Sequence, residues 1–324
     1  MLAGISILCF AASYSAALVL EISRLFFRSG VRGAILLAFA GAGLLAHTLF
    51  LAYRAQTTSA APLSSEFDWY LVAAWALAAM YVYWTFSHPR TAVGLFALPL
   101  VLGLIALAEF LAKREPFPTS QASQVWGAVH GIFLLLGVIT VLVGFVAGLM
   151  HLVHSYQLKH KLRPVQGLQL PSLEWLERIN TRAVFVAAAM LAVGFLSGVV
   201  LNLVNRRQDS LESVPWNDPV IWSSGVLLAW QLAAAAFSVL YRPARQGRKV
   251  AYLTIASFVC LAIAMGVWLS SPSSHAPARP AAAKPGSNAE FGMRIMEPRV
   301  APANMLASAA FHPSSFLLHP FNRP

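Results

Sequence analysis

Long apolar stretches separated by short polar segments dominate the first 270 residues. Eight of them approach the roughly 20 residues that an α-helix needs to cross the hydrocarbon core of a bilayer. They comprise residues 3–22, 33–53, 69–86, 91–111, 125–153, 183–203, 219–241 and 248–270. The pattern predicts an all-α, polytopic membrane protein with about eight transmembrane helices, forming a transmembrane domain over residues 1–270.

The chain changes character after residue 270. Residues 271–324 contain nine prolines together with many alanines and serines, and they show no helical periodicity. Such a composition cannot bury enough apolar surface to offset the entropy of ordering the chain. We therefore predict a disordered C-terminal tail.

Composition supports a membrane protein. Of the 324 residues, 58% are hydrophobic and only 11% are charged, whereas soluble domains are about 25% charged. This balance excludes an ordinary soluble enzyme and a nucleic-acid-binding chain, although the net charge is +11. In a membrane protein, a basic excess of this kind collects in cytoplasmic loops.

The basic residues are unevenly divided between the two sets of alternate loops. One set holds thirteen of them: Arg24, Arg28, Arg32, Arg90, Lys159, Lys161, Arg163, Arg178, Arg182, Arg242, Arg245, Arg248 and Lys249. The other set holds five: Arg54, Lys113, Arg114, Arg206 and Arg207. The richer side is predicted to be cytoplasmic. In a bacterial inner membrane, both termini then face the periplasm.

Several histidines lie near the predicted outer face. His47 lies about six residues before the outer end of the second span, and His130 about five residues after the outer start of the fifth. At about 1.5 Å per residue, both are within roughly 10 Å of that face. His275 follows the last span on the same side. Polar groups in hydrocarbon are costly, so their positions are informative.

A short segment at the outer start of the seventh span adds Trp216, Asp218 and Trp222. Two neutral imidazoles can fill both axial positions of a haem iron, and tryptophan faces offer a flat apolar wall. A carboxylate can accept a hydrogen bond from a ligating imidazole. The alternative is an interfacial aromatic belt with scattered histidines. Asp218 followed by Pro219 also has a simple structural explanation, as the start of a helix.

Three stretches resemble the membrane proteins of cytochrome c assembly of the CcsA and HemX type. They are WGAVHGIFLLLGVITVLVGFVAGLMHLVHSYQLKHK (126–161), LPSLEWLERINTRAVFVAAAMLAVGFLSG (170–198), and the region from WNDPVIWSSGVLLAW to SSH (216–275). The first is similar to the family's helix that begins with an external histidine. The second is similar to a loop followed by a glycine-containing span. The resemblance is strongest over residues 126–275.

The resemblance implies haem handling on the outer face. It implies that haem b is bound non-covalently between two external histidines, His130 and His275, beside a tryptophan-rich segment represented here by Trp216, Asp218 and Trp222. The implied partners are apocytochrome c, haem, the lipid bilayer and a separate membrane protein with a large external domain.

The tryptophan-rich segment is reduced compared with the family pattern, because only one tryptophan precedes Asp218-Pro219 and Asn217 displaces it by one position. The sequence departs from the pattern at two further places. Val220-Ile221 replaces a Lys-Glu pair, and Tyr241 stands near the family's intramembrane histidine. These departures favour binding or presentation of haem over catalysis by this chain alone. An alternative function implied by the HemX resemblance is regulation of tetrapyrrole synthesis without haem, with the basic segment 154–182 as the contact surface.

Overall fold

Eight helices account for the apolar stretches. The protein is described from a computed structural model, and the description comprises residues 6–26, 31–57, 65–89, 91–115, 124–161, 169–207, 214–241 and 247–270. The helices are α1 (Ile7–Ser23), α2 (Arg32–Thr57), α3 (Glu66–Ser87), α4 (Gly94–Phe110), α5 (Gln124–Lys159), α6 (Leu173–Arg207), α7 (Pro219–Leu240) and α8 (Arg248–Ser270). Within these ranges the only non-helical pairing is an isolated bridge between Thr91 and Gln169. The predicted all-α fold with eight helices is confirmed.

Length and composition mark this as a multi-pass membrane protein. Six of the eight helices are long and apolar enough to cross a bilayer. The other two, α1 and α4, are apolar and 17 residues long, at the short end of what a bilayer requires. The predicted tail, residues 271–324, lies outside the described residues.

Capping residues explain where α3 begins. The Ser65 side chain accepts a hydrogen bond from the main-chain N–H of Asp68, as an N-cap residue does. Glu66 and Asp68 place negative charge in the first turn, where it stabilises the positive end of the helix dipole. α3 therefore begins three residues before the predicted apolar stretch.

The start of α6 differs most from the sequence prediction. Residues 170–182 were expected to form a loop, but helix begins at Leu173, ten residues before the predicted span. The Ser172 hydroxyl oxygen accepts a hydrogen bond from the N–H of Trp175, and Glu174 pairs with Arg178 one turn later. Local capping and charge pairing thus extend the helix beyond its apolar part.

Contacts between the helices define two ends of the molecule. At one end Trp69 of α3 packs beside Gly131 of α5, and Tyr70 of α3 stacks on Trp268 of α8. This end holds the N-termini of the odd-numbered helices, and we call it the upper end. It corresponds to the predicted outer side.

The opposite end, which we call the lower end, corresponds to the predicted cytoplasmic side. Here the rings of Trp84 in α3 and Trp175 in α6 lie 4.3 Å apart. The N–H of Ala92 donates to the carbonyl of Gln169 at 2.9 Å. The loop after α3 is therefore tied to the segment that leads into α6.

Candidate functional site

The ring of His130 is held between α5 and α6 near the upper end. Its Nδ1 lies 2.7 Å from the main-chain carbonyl oxygen of Gly194. A carbonyl only accepts hydrogen bonds, so Nδ1 carries the proton and donates it. In the neutral ring, Nε2 is then the nitrogen with the lone pair, which is the state that a metal ligand requires.

Glycines of α6 make room for this arrangement. A methyl group added at Gly198 would lie 2.6 Å from both Cε1 and Nδ1 of the His130 ring. One added at Gly194 would lie 2.7 Å from Cδ2 of Leu134 and 3.0 Å from its main-chain nitrogen. These distances are shorter than van der Waals contact. The imidazole and the two helix backbones therefore approach as closely as they do only because α6 lacks side chains at these positions.

The segment before α7 is fastened to the upper part of α6. The side-chain amide of Asn202 donates to the carbonyl oxygen of Val214 at 3.0 Å, and its oxygen accepts from the N–H of Val214 at 2.8 Å. Arg206, one turn further along α6, donates to the same carbonyl at 3.0 Å. Both main-chain groups of Val214 are thus paired with α6 side chains.

Trp216 and Trp222, the tryptophans around the start of α7, are both exposed. Trp216 is 43% exposed, and Trp222, in the first turn of α7, is 66% exposed. The guanidinium carbon of Arg206 lies 5.3 Å from the centre of the Trp216 ring, a cation–π contact. Arg206 therefore contacts both the backbone and the aromatic ring of the segment.

Asp218 starts α7, as its sequence context predicts. Its side chain accepts a hydrogen bond from the N–H of Val220 at 2.8 Å, and Pro219 occupies the first turn. The Asp218 carbonyl also accepts from the N–H groups of Ile221 and Trp222. The residue is buried, with 5% of its surface exposed. Its carboxylate therefore orients the helix that carries Trp222.

His47 lies in a different helix pair. It is fully buried between α1 and α2, where its ring stacks on Phe10 with centroids 4.2 Å apart and meets the edge of Tyr14 at 6.2 Å. α2 continues to Thr57, so His47 lies ten residues, or about 15 Å, from the upper end of its helix. It thus lies farther from the end of its helix than the sequence indicated, and its ring partners belong to α1, whereas those of His130 belong to α6.

The donor groups indicate what this region can bind. Among the described residues, no cluster of three or more His, Cys, Asp or Glu side chains could hold a metal ion by itself. His130, whose hydrogen bond fixes its tautomer, could ligate an iron through Nε2, and the exposed rings of Trp216 and Trp222 could pack against a flat apolar ligand. His275, the predicted second axial ligand, lies outside the described residues.

Sequence reasoning missed the α6 residues that hold the site together. Asn202 was visible as an amide within an apolar helix, where an unpaired polar group is costly. Its pairing with a residue twelve positions later was not visible. Gly194, Gly198 and Arg206 gave no signal of their own, because glycines and terminal arginines are common in membrane helices.

Comparisons with known proteins agree with this architecture. Residues 36–273 match the model of the family described as cytochrome C assembly protein. The match runs from α2 past the end of α8 and includes every described residue of the region around His130 and Trp216.

Curated relatives carry the same description. The chain is 25% identical over 228 residues to the cytochrome c biogenesis protein CcsA of Synechococcus sp. (strain CC9605), covering 62% of this chain and 72% of that protein. CcsA of Synechococcus sp. (strain CC9902) and CcsA of Parasynechococcus marenigrum (strain WH8102) match with the same identity and coverage. No solved structure matches at the same stringency. The family match covers most of the chain and supports a role in c-type cytochrome assembly: this multi-pass membrane protein belongs to the cytochrome C assembly protein family.

Proposed function

We propose that this protein binds haem b non-covalently at the upper ends of α5, α6 and α7 and presents it during c-type cytochrome assembly. The observation that carries the proposal is the hydrogen bond from Nδ1 of His130 to the Gly194 carbonyl, which sets the ring tautomer at the end of the molecule that also exposes Trp216 and Trp222.

The available side chains fit a haem group. A neutral imidazole whose Nδ1 donates to a carbonyl is the usual form of an axial histidine, because this bond orients the ring and raises the basicity of Nε2. His130 would hold the haem iron through Nε2, and His275 is proposed as a second ligand. Trp216 and Trp222 would pack against the macrocycle through their faces. Haem, when bound, supplies an iron, and the ligands and surroundings of that iron tune its reduction potential.

Other residues of the chain orient the proposed haem contacts. Asp218 directs the first turn of α7, and the helix pair α5–α6 holds the imidazole. A ligand held in this way is oriented and partly shielded from water. We assign no covalent chemistry to these residues. The proposal leaves out His47, whose ring is enclosed by α1 and α2.

We propose that the upper end faces the periplasm across an inner membrane, with both termini on that side. The unequal distribution of basic residues between alternate loops supports this orientation. The proposed partners are apocytochrome c and a separate membrane protein with a large external domain. The curated relatives, which are described as cytochrome c biogenesis proteins, support this assignment.

The test compares His130→Ala with His154→Ala. His154 lies on the same helix and its Nδ1 also donates to a main-chain carbonyl, that of Pro171 at 3.0 Å, but at the lower end. Both variants and the parent protein are purified in mild detergent and assayed for haem as the pyridine haemochrome. We expect His130→Ala to lower haem content at least about tenfold, as loss of a ligand does, and His154→Ala to leave it nearly unchanged.

Two results would overturn the proposal. One is parent protein that copurifies with no haem while supporting normal cytochrome c levels. The other is an equal haem content in His130→Ala and the parent. Either result would favour the alternative function, regulation of tetrapyrrole synthesis without haem. That alternative is tested by replacing Lys159 and Lys161 and measuring the abundance of the first enzyme of tetrapyrrole synthesis.

A further inference from the structure

We infer that one row of residues on α6 positions both halves of the proposed site, the His130 ring and the segment that carries Trp216. The row consists of Gly194, Gly198, Asn202 and Arg206. The inference rests on the proposed function, since it names residues that would orient a haem site without touching the haem.

The lower half of the row holds the imidazole. The Gly194 carbonyl accepts the proton of Nδ1, and the open surface at Gly198 admits the ring, which a methyl group would meet at 2.6 Å. The Ser197 hydroxyl donates to the same Gly194 carbonyl at 2.8 Å. The acceptor of His130 is therefore itself held by a neighbouring side chain.

The upper half of the row holds the segment before α7. Asn202 pairs with both main-chain groups of Val214, and Arg206 contacts the Val214 carbonyl and the Trp216 ring. Asn202 is buried, with 7% of its surface exposed. A buried amide that engages one residue at both its donor and its acceptor defines the place of that residue closely.

Helix geometry joins the two halves. The four residues follow one another at intervals of four, so each step advances about 6 Å and turns the row by about 40°. The row faces α5 at Gly194 and Gly198 and turns toward the start of α7 at Asn202 and Arg206. Because a helix is stiff over this distance, the separation between the imidazole and Trp216 is set within α6.

The first arm of the experiment needs no haem. Cys9 and Cys260 are replaced by alanine, and a spin label is attached at Asn217→Cys, an exposed position in the segment. Asn202→Leu removes the amide and keeps the branching at Cγ and the number of side-chain heavy atoms. The control is Gln231→Leu, which removes a buried amide of α7 that contacts the Val184 carbonyl instead. We expect the immobile component of the label spectrum to be lost in Asn202→Leu and kept in the control.

The second arm reports on the imidazole. Gly198→Ala places a methyl group against His130, whereas Gly127→Ala places one 4.0 Å from Leu201, at ordinary contact distance. We expect Gly198→Ala to change the rate of hydrogen exchange at Cε1 of the His130 ring. In haem-loaded protein, we expect it to shift the α band of the reduced haem and the reduction potential. Gly127→Ala should change none of these.

The two arms separate failure of this inference from failure of the proposed function. An immobile label in Asn202→Leu, or an unchanged His130 exchange rate in Gly198→Ala, overturns the positioning role whether or not haem binds. Parent protein that contains no haem while supporting normal cytochrome c levels overturns the proposed function, and the label and exchange results still decide the positioning role. If the label becomes mobile in Asn202→Leu but the haem spectrum and haem content stay unchanged, the Trp216 segment is not part of the site. That result overturns the inference for Asn202 and Arg206.

Discussion

Two histidines near the same end of the molecule occupy opposite kinds of surroundings. His47 lies between α1 and α2, and His130 lies between α5 and α6. In each pair a glycine of one helix accommodates an aromatic ring of the other: Gly43 faces Tyr14, the neighbour of His47, and Gly198 faces His130 itself. The two helix pairs thus use the same packing device.

The difference lies in what surrounds the imidazole. His47 has no exposed surface, stacks in parallel on Phe10, and its Nε2 has no hydrogen-bond partner within the described part of the chain. His130 is only partly buried, and its Nδ1 donates to a main-chain carbonyl. A polar residue in a membrane helix is therefore a weak signal of function until its contacts are known. The same residue type packs among aromatic rings in one helix pair, where its Nδ1 lies 3.5 Å from the Tyr14 hydroxyl, and contacts a main-chain carbonyl in the other.

The largest expected effect comes from replacing the two histidines by the same residue. We expect His130→Leu to lower haem content at least about tenfold and His47→Leu to change it less than about twofold. The reason is that the His47 ring is enclosed by α1, whereas His130 is held at the end that exposes Trp216 and Trp222. Haem per protein in detergent is the measurement. A tenfold loss in His47→Leu would break the comparison.

The next largest effect, a loss of stability, is expected when the polar contacts at the upper ends of α2 and α3 are removed. Asp68 forms an ion pair with Arg54 and accepts a hydrogen bond from the Ser65 hydroxyl. Asp68→Asn leaves the Arg54 charge, only 24% exposed, without its counter-ion, which should lower the free energy of unfolding by about 2–3 kcal/mol. The measurement is Tm in detergent.

The control for Asp68→Asn is Glu174→Gln in the lower part of α6. The Glu174–Arg178 pair is exposed, with 76% and 65% of the side chains accessible, so solvent screens it. We expect its loss to change stability by less than about 0.5 kcal/mol. Equal effects of the two substitutions would show that the Arg54–Asp68 pair adds no more to stability than an exposed pair.

Among the substitutions that are not controls, the smallest effect is expected at a glycine of the first helix pair. A methyl group at Gly43 would lie 2.9 Å from Cε1 of Tyr14, whereas one at Gly41 would meet nothing within 4 Å. Gly43→Ala should therefore destabilise the protein by about 1–2 kcal/mol without altering the haem spectrum, and Gly41→Ala should be neutral or slightly stabilising. A spectral change in Gly43→Ala would mean that the α1–α2 pair contributes to the site.

Apolar length predicted the helices well. α8 begins and ends as expected, and α7 starts at Asp218-Pro219, because a capping carboxylate followed by proline is a local signal that needs no tertiary context. The polar start of α6 could not be predicted from apolar length. Residues 173–182 form helix through the Ser172 cap and charge pairs, which a search for bilayer-spanning stretches does not detect.

The candidate site was only partly predictable. His130, Trp216 and Trp222 were predicted as haem contacts from their residue types and their place near one face, and they stay predictions. The role of Asp218 as a helix cap, which its neighbour Pro219 indicated, is confirmed. Sequence spacing also predicted His47 as a site residue, and this stays a prediction. Its contacts with α1 could not be predicted, because distance along a helix does not reveal which neighbouring helix a side chain faces. The hydrogen bonds that organise the site join residues twelve and sixty-four positions apart, and they depend on packing.

The length of α6 has a mechanical consequence. Its 35 residues extend about 52 Å, and Trp175 near one end contacts α3 while Arg206 near the other contacts the segment before α7. If the helix tilted rigidly by about 5° around its lower end, its upper end would move by roughly 4–5 Å. A molecule that binds beside Trp175 and shifts this helix would therefore move the support of His130 and Trp216 from the far side of the membrane.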